Sequence, residues 1–179
     1  MWVSVDAKRQ FSSAYLYAGN GTNPVNGVDE DGDEIIAKTK KDQIAYAKWT
    51  KTLNASEAKV VYEMEQSDIK VYWGITDERI KTGIFSIKHG GILDAGGVTK
   101  GIEGERAFDV EIYKGSIDFS GIHEFYHLQQ ANDLLQSDPN LKGDDWNKYY
   151  KSNKIELEQE VFQRQGLEYS TDDVKGLGY

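Results

Sequence analysis

The chain has 179 residues, of which 39% are hydrophobic and 28% charged, and 21 Lys+Arg against 30 Asp+Glu leave a net charge of −9. This balance fits a single soluble domain with at most a short appendage; it excludes wholesale disorder and argues against a phosphate backbone as partner. Cysteine is absent, which excludes disulfides, thiol nucleophiles and thiolate zinc sites.

Up to about residue 34 the chain is rich in Gly, Asn, Ser and Asp. SSAYLYAG reads as a brief strand, GNGTNPVNG as a turn and VDEDGDE as an acidic turn. No glutamate stands twelfth from Asp29, so VDEDGDE is not an EF-hand loop. The opening MWVSVDAKRQ lacks the apolar core of a signal peptide. From Glu34 to Leu53 the placing of Ile36, Ile44, Tyr46, Ala47 and Trp49 is compatible with a helix. KVVYEMEQ, IKVYWGI, TGIFSIKHG and AFDVEIYKG then read as three or four β-branched, aromatic strands of an antiparallel or mixed sheet. The glycine-rich stretch 90–106 reads as a loop.

After Gly115 the period becomes helical. Residues 118–136 carry Ile122, Phe125, Leu128 and Leu135 on one broad stripe, with Asp118 or Ser120 as N-cap. A loop, SDPNLKGDDW, leads to a second helix from about Asp145 to Gln165, ending near Gly166, and the tail EYSTDDVKGLGY is polar. No run approaches the roughly 20 apolar residues of a membrane helix.

The first of these helices carries His123-Glu124-Phe125-Tyr126-His127, the pattern H-E-x-x-H. Spacing i,i+4 sets both imidazoles on one helical face, one turn apart, where they can share a Zn²⁺ ion. Glu124, beside the first ligand, can take a proton from a metal-activated water and pass it to a leaving group. Without cysteine, the third donor is expected to be a carboxylate. His89, the one remaining imidazole, falls in a KHGG turn of the sheet region. The second helix holds IELEQEVFQ, in which Glu156 and Glu160 share a face and Glu158 points away from them. One of the sharing pair can bind metal while the other holds a ligand histidine. Tyr126, Tyr149 and Tyr150 lie near these motifs and could donate to an oxyanion.

HEFYH followed by E-L-E-Q-E-V-F resembles the gluzincin metallopeptidases, and most nearly the small minimal zincins with a short gap between motifs. The resemblance implies His123, His127 and Glu156 as zinc ligands, Glu124 as general base and Glu160 as the carboxylate behind the ligands. It also implies an aromatic at Phe162 packing the two helices, with Gln159 standing where a small residue is common. The strand before the active-site helix, IEGERAFDVEIYKG, would be the edge that binds substrate backbone. Residues 1–34, WVSVDAKRQFSSAYLYAGNGTNPVNGVDEDGDE after the initial Met, are similar to the C-terminal end of an Rhs/YD-repeat core, by the GN-x-NPVN turn and the DxDG ending. Asp6 and Asp29 stand near that family's cleavage element, with DAKR and DEDG in place of Asp-Pro-x-Gly. The likeness implies the end of a longer, delivered polypeptide, with a variable domain, commonly a toxin, beginning near Gly32.

The expectation is therefore an Rhs-core remnant or linker (1–34) and an α+β, zincin-like domain (35–179). In that domain a small twisted, mostly antiparallel sheet packs on the HExxH helix and on a second helix. The function expected is zinc-dependent peptide-bond hydrolysis by a secreted effector of polymorphic-toxin type. Its partners would be a protein or peptide substrate, an immunity protein and the upstream Rhs shell, with no nucleic acid and no membrane. The rival readings are a zinc-containing domain without activity and a metal-free interaction module.

Overall fold

A computed structural model describes residues 35–86 and 91–168. The Rhs-like segment 1–34, His89 and the tail from residue 169 lie outside the described residues. Two segments follow the first short strand, β1 (Ile35–Ala37): helices α1 (Lys40–Trp49) and α2 (Ala55–Glu65). Next come β2 (Lys70–Thr76), β3 (Ile80–Ser86), β4 (Gly91–Ala95), β5 (Gly97–Gly101) and β6 (Ala107–Tyr113). The long helices α3 (Ile117–Ser137) and α4 (Gly143–Arg164) complete the described chain.

Four strands form one mixed sheet in the order β1-β2-β6-β5, and β3 and β4 form a separate hairpin. β1 and β2 are parallel, as are β2 and β6, while β5 runs antiparallel to β6. The chain passes through α1 and α2 between β1 and β2, the helical crossover that parallel neighbours require. Alternation along β2 and β6 sends Val71, Trp73, Phe108, Val110 and Ile112 into the core. There they meet Tyr46 and Trp49 from α1, Val61 and Met64 from α2, and Ile122, Phe125 and Leu128 from α3. The result is α+β with helices on one sheet face, as expected in class. The sheet departs from the mostly antiparallel expectation because its first connection is helical.

Three local expectations change. KVVYEMEQ is the C-terminal part of α2 and not a strand. Asn54 caps that helix through the N–H groups of Ser56 and Glu57, Glu57 returns a bond to the Asn54 N–H, and Val61 and Met64 supply its buried side. The glycine-rich stretch 90–106 holds β4 and β5. Finally, β6 lies inside the sheet, so the sheet edge before the H-E-x-x-H helix is β5. Its even-numbered backbone groups face β6, as the bonds from Tyr113 N–H to Gly96 O and from Ile102 N–H to Ala107 O require. Those of Gly97, Thr99 and Gly101 therefore face away.

Candidate metal centre

α3 begins at Ile117, after Ser116, and is nearly surrounded: every residue from Ser120 to Leu128 is buried. The sheet covers one side, the Trp49 indole lies on Gly121, and α4 covers the side that carries the histidines. The two imidazoles lie with ring centroids 4.9 Å apart, in an edge-to-face arrangement. Their third companion is Glu158, the most deeply buried carboxylate of α4, at 1% exposure. Its Oε2 is 3.2 Å from His123 Nε2 and its Oε1 is 3.3 Å from His127 Nε2. The three side chains offer donor atoms that all lie within 4.8 Å of one another.

Glu158 faces inward because α4 packs through Trp146, Leu157, Val161 and Phe162, and Glu158 sits between these on the covered side. Glu156 is exposed on the opposite side of the helix and is not part of the group. Glu158, two positions on and on the same side as Leu157, Val161 and Phe162, stands beside the histidines where Glu156 was expected. α4 also departs from helical backbone at Asn153, whose side-chain amide bonds the Tyr149 carbonyl at 2.8 Å. Across that irregularity the Tyr150 hydroxyl donates to Glu158 Oε1, and its ring stands edge-on to His127 at 5.4 Å. Of the three tyrosines near the motifs, only Tyr150 touches the trio. Tyr126 lies under Arg164, and Tyr149 is exposed and packs on Trp146.

The Nδ1 atoms meet amides. His123 Nδ1 lies 2.9 Å from Gln165 Oε1, and His127 Nδ1 lies 2.9 Å from Gln130 Oε1. The Gln130 amide donates in turn to Leu157 O and, at 2.7 Å, to Glu160 Oε2. Glu160, expected behind the ligands, therefore reaches His127 through Gln130, and Arg164 holds its other oxygen at 2.5 Å. Phe162 packs on the His123 ring with centroids 5.0 Å apart, where the sequence placed it. The exposed Phe119 stacks on the same ring from outside.

Glu124 is buried against β5. Thr99 Oγ1 donates to its Oε2 at 2.8 Å. Gly97 leaves it room: a Cβ there would stand 2.7 Å from Glu124 Cγ and Oε1. Burial raises the Glu124 pKa, against the opposing pull of the two histidines and Thr99. Burial works against charge on His127, but the facing Glu158 carboxylate, with help from Glu124 and Gln130, pushes its pKa up to about 9. Burial would raise Glu158, yet His127 and His123 hold it well below the usual carboxylate range. Without metal, the charges of His127 and Glu158 thus stabilise one another.

Comparisons with protein families, curated proteins and solved structures give no match. The chemistry of the centre rests on its own geometry. Two imidazoles and one carboxylate suit a borderline cation such as zinc. His127 Nε2 fits this as well, being fully buried and 3.3 Å from Glu158 Oε1 without the alignment of a hydrogen bond. No helix among the described residues is long and apolar enough to cross a membrane.

Proposed function

We propose that this domain hydrolyses peptide bonds with a zinc ion held by His123, His127 and Glu158, and that Glu124 is its general base. The observation that carries the reading is a buried His-His-Glu group with a fourth side chain, Glu124, clamped beside it by Thr99. Bound zinc would supply a Lewis acid and lower the pKa of water at neutral pH. Glu124 would accept the proton of the attacking water and deliver it to the departing nitrogen. Its burial raises its basicity toward the range in which such transfer is efficient. Tyr150, on Glu158, is the hydroxyl nearest to hand for a developing oxyanion.

The free edge of β5 supports a peptide as substrate. Gly97 and Thr99 turn backbone N–H and C=O groups outward beside Glu124, where an extended chain can pair with them. The edge ends at Gly101, whose N–H and C=O are both taken by the Asn147 amide, at 2.9 and 2.8 Å. The Rhs-like character of residues 1–34 supports a toxin role for the activity, with an immunity protein and an Rhs shell as partners. The zincin-like reading of the fold belongs to the same proposal.

The test pairs wild type with Glu124→Gln. Wild type is expected to carry about one equivalent of zinc and to degrade an unfolded protein such as reduced casein. Glu124→Gln should keep the zinc and lose the cleavage. Zinc without cleavage in wild type would favour an inactive zinc domain, and absence of zinc a metal-free interaction module. Growth arrest on intracellular expression, relieved by Glu124→Gln, would separately support the toxin role.

A further inference from the structure

The two ligand histidines are each backed by a neutral amide, and both amides can face them in only one sense. Gln130 has its NH₂ committed to two acceptors, Leu157 O at 3.2 Å and Glu160 Oε2 at 2.7 Å. Gln165 has its NH₂ on Phe119 O at 3.2 Å. Turning either amide over would set an NH₂ group against an oxygen-free ring nitrogen and an oxygen against carbonyl or carboxylate oxygens. Each glutamine therefore offers the imidazole an oxygen, and an oxygen can only accept. The nitrogen that meets it, Nδ1 in both rings, has to carry the hydrogen.

From this we infer that Gln130 and Gln165 are positioning residues, which hold a hydrogen on Nδ1 of both imidazoles, so that Nε2, the atom that faces Glu158, is the one given to a bound metal. Free neutral imidazole in water favours the opposite tautomer, so each ring would otherwise have to be turned over at the expense of binding free energy. The two clamps come from different places. Gln130 stands one turn after His127 on α3, its NH₂ tied to α4. Gln165 follows the last residue of α4 and ties the end of that helix to the first turn of α3. The metal centre is thus set only when the C-terminal end of α4 is docked. Neither amide adds negative charge, in contrast to the carboxylates that commonly back zinc-bound histidines, so a bound cation keeps more of its charge for polarising what it binds.

This inference rests on the reading of the trio as a zinc site, and its test separates the two. Zinc affinity is measured by competition with a chromophoric chelator for wild type, Gln130→Leu, Gln165→Leu, Gln130→Glu and Gln165→Glu. Thermal unfolding of the same proteins in chelator reports on the metal-free fold. The leucine variants should bind zinc about 10- to 100-fold more weakly while their metal-free unfolding temperatures stay near that of wild type. Gln165→Glu, which keeps an acceptor facing His123, should restore most of the affinity. Gln130→Glu should not, because it would set a second carboxylate against Glu160. In zinc-loaded wild type, ¹⁵N NMR should find Nδ1–H and a metal-bonded Nε2 on both His123 and His127.

Wild-type affinity in both leucine variants would overturn the inference, as would a metal-bonded Nδ1 on either histidine of the zinc-loaded protein. If a leucine variant fails to fold, the tautomers of wild type decide. If wild type binds no zinc, the zinc reading falls, and the clamps stand if both rings keep a slowly exchanging Nδ1–H against Gln130 and Gln165 and fall if they do not.

Discussion

Glu156 and Glu158 are two positions apart on one helix, about 200° around its axis, so only one of them can serve the histidines. The buried one is Glu158, in contact with both rings. Replacing it with alanine removes the only carboxylate of the trio, and zinc affinity should fall by more than about a hundredfold, beyond what loss of an outer partner costs. Glu156→Ala should bind zinc as wild type does. Zinc titration of the two variants side by side checks this, and equal losses, or loss in Glu156→Ala alone, would reverse the assignment. Gly97 makes a second case at this scale. With 2.7 Å between an added Cβ and Glu124 Cγ, Gly97→Ala has to move Glu124, the proposed base. Cleavage should drop about ten- to a hundredfold, part of the about 10²–10⁴ that a positioned base contributes, with zinc content unchanged. What was legible here was local: H-E-x-x-H sets two imidazoles and Glu124 together by spacing within one turn. Glu158 depended on which side of α4 is covered, and the stripe of Trp146, Tyr150, Leu157, Val161 and Phe162 carried that information. Gln130 and Gln165 had no comparable signal, since glutamine is usual on solvated helix faces and only the docking of α4 on α3 gives them partners.

Among the elements, α3 shows how a helix can favour a poor helix former. Gly121 lies one turn before Phe125, where the Trp49 indole rests on the backbone, and an added Cβ would stand 2.7 Å from two ring carbons. Alanine is intrinsically better in a helix by about 1 kcal/mol, but overpacking a rigid indole costs about 1–3 kcal/mol. Gly121→Ala is therefore expected to destabilise the protein by up to about 2 kcal/mol, and urea unfolding would show it as a lower midpoint. An unchanged or higher midpoint would mean that Trp49 can shift freely. The same competition explains which elements could be read in advance. The β-branched Val60 and Val61 suggest a strand, but the reciprocal capping by Asn54 and Glu57 starts a helix that carries them along. The glycines that made 90–106 read as a loop are, at Gly97 and Gly101, strand positions where Glu124 and the Gly143 backbone come too close for a side chain.

On the scale of the whole molecule, the composition narrowed the chemistry further than the topology. Absence of cysteine and two of three histidines in one helical turn led to a His-His-carboxylate centre, while the parallel pairing of β1, β2 and β6 depended on long-range contacts that no short segment encodes. A buried acid away from the centre ties overall stability to pH. Glu65, on α2, is largely withdrawn from water and accepts a bond from the Tyr46 hydroxyl of α1 at 3.0 Å. Burial raises its pKa from 4.5 to about 7, with Tyr46 pulling the other way. Because the folded-state value lies above the unfolded one, the protonated carboxyl favours the fold. That contribution is complete below about pH 4.5 and is lost as pH rises through about 7. Ionised Glu65 then costs at most about 3 kcal/mol, an upper bound given its partial exposure. Glu65→Gln keeps an acceptor for Tyr46 and carries no charge. Its unfolding midpoint in chelator should match wild type near pH 4.5 and exceed it at pH 8, by an amount that grows across the interval. If the two proteins unfold in parallel from about pH 4.5 to 8, Glu65 titrates in the fold as it does in the unfolded chain and the α1–α2 contact carries no pH dependence.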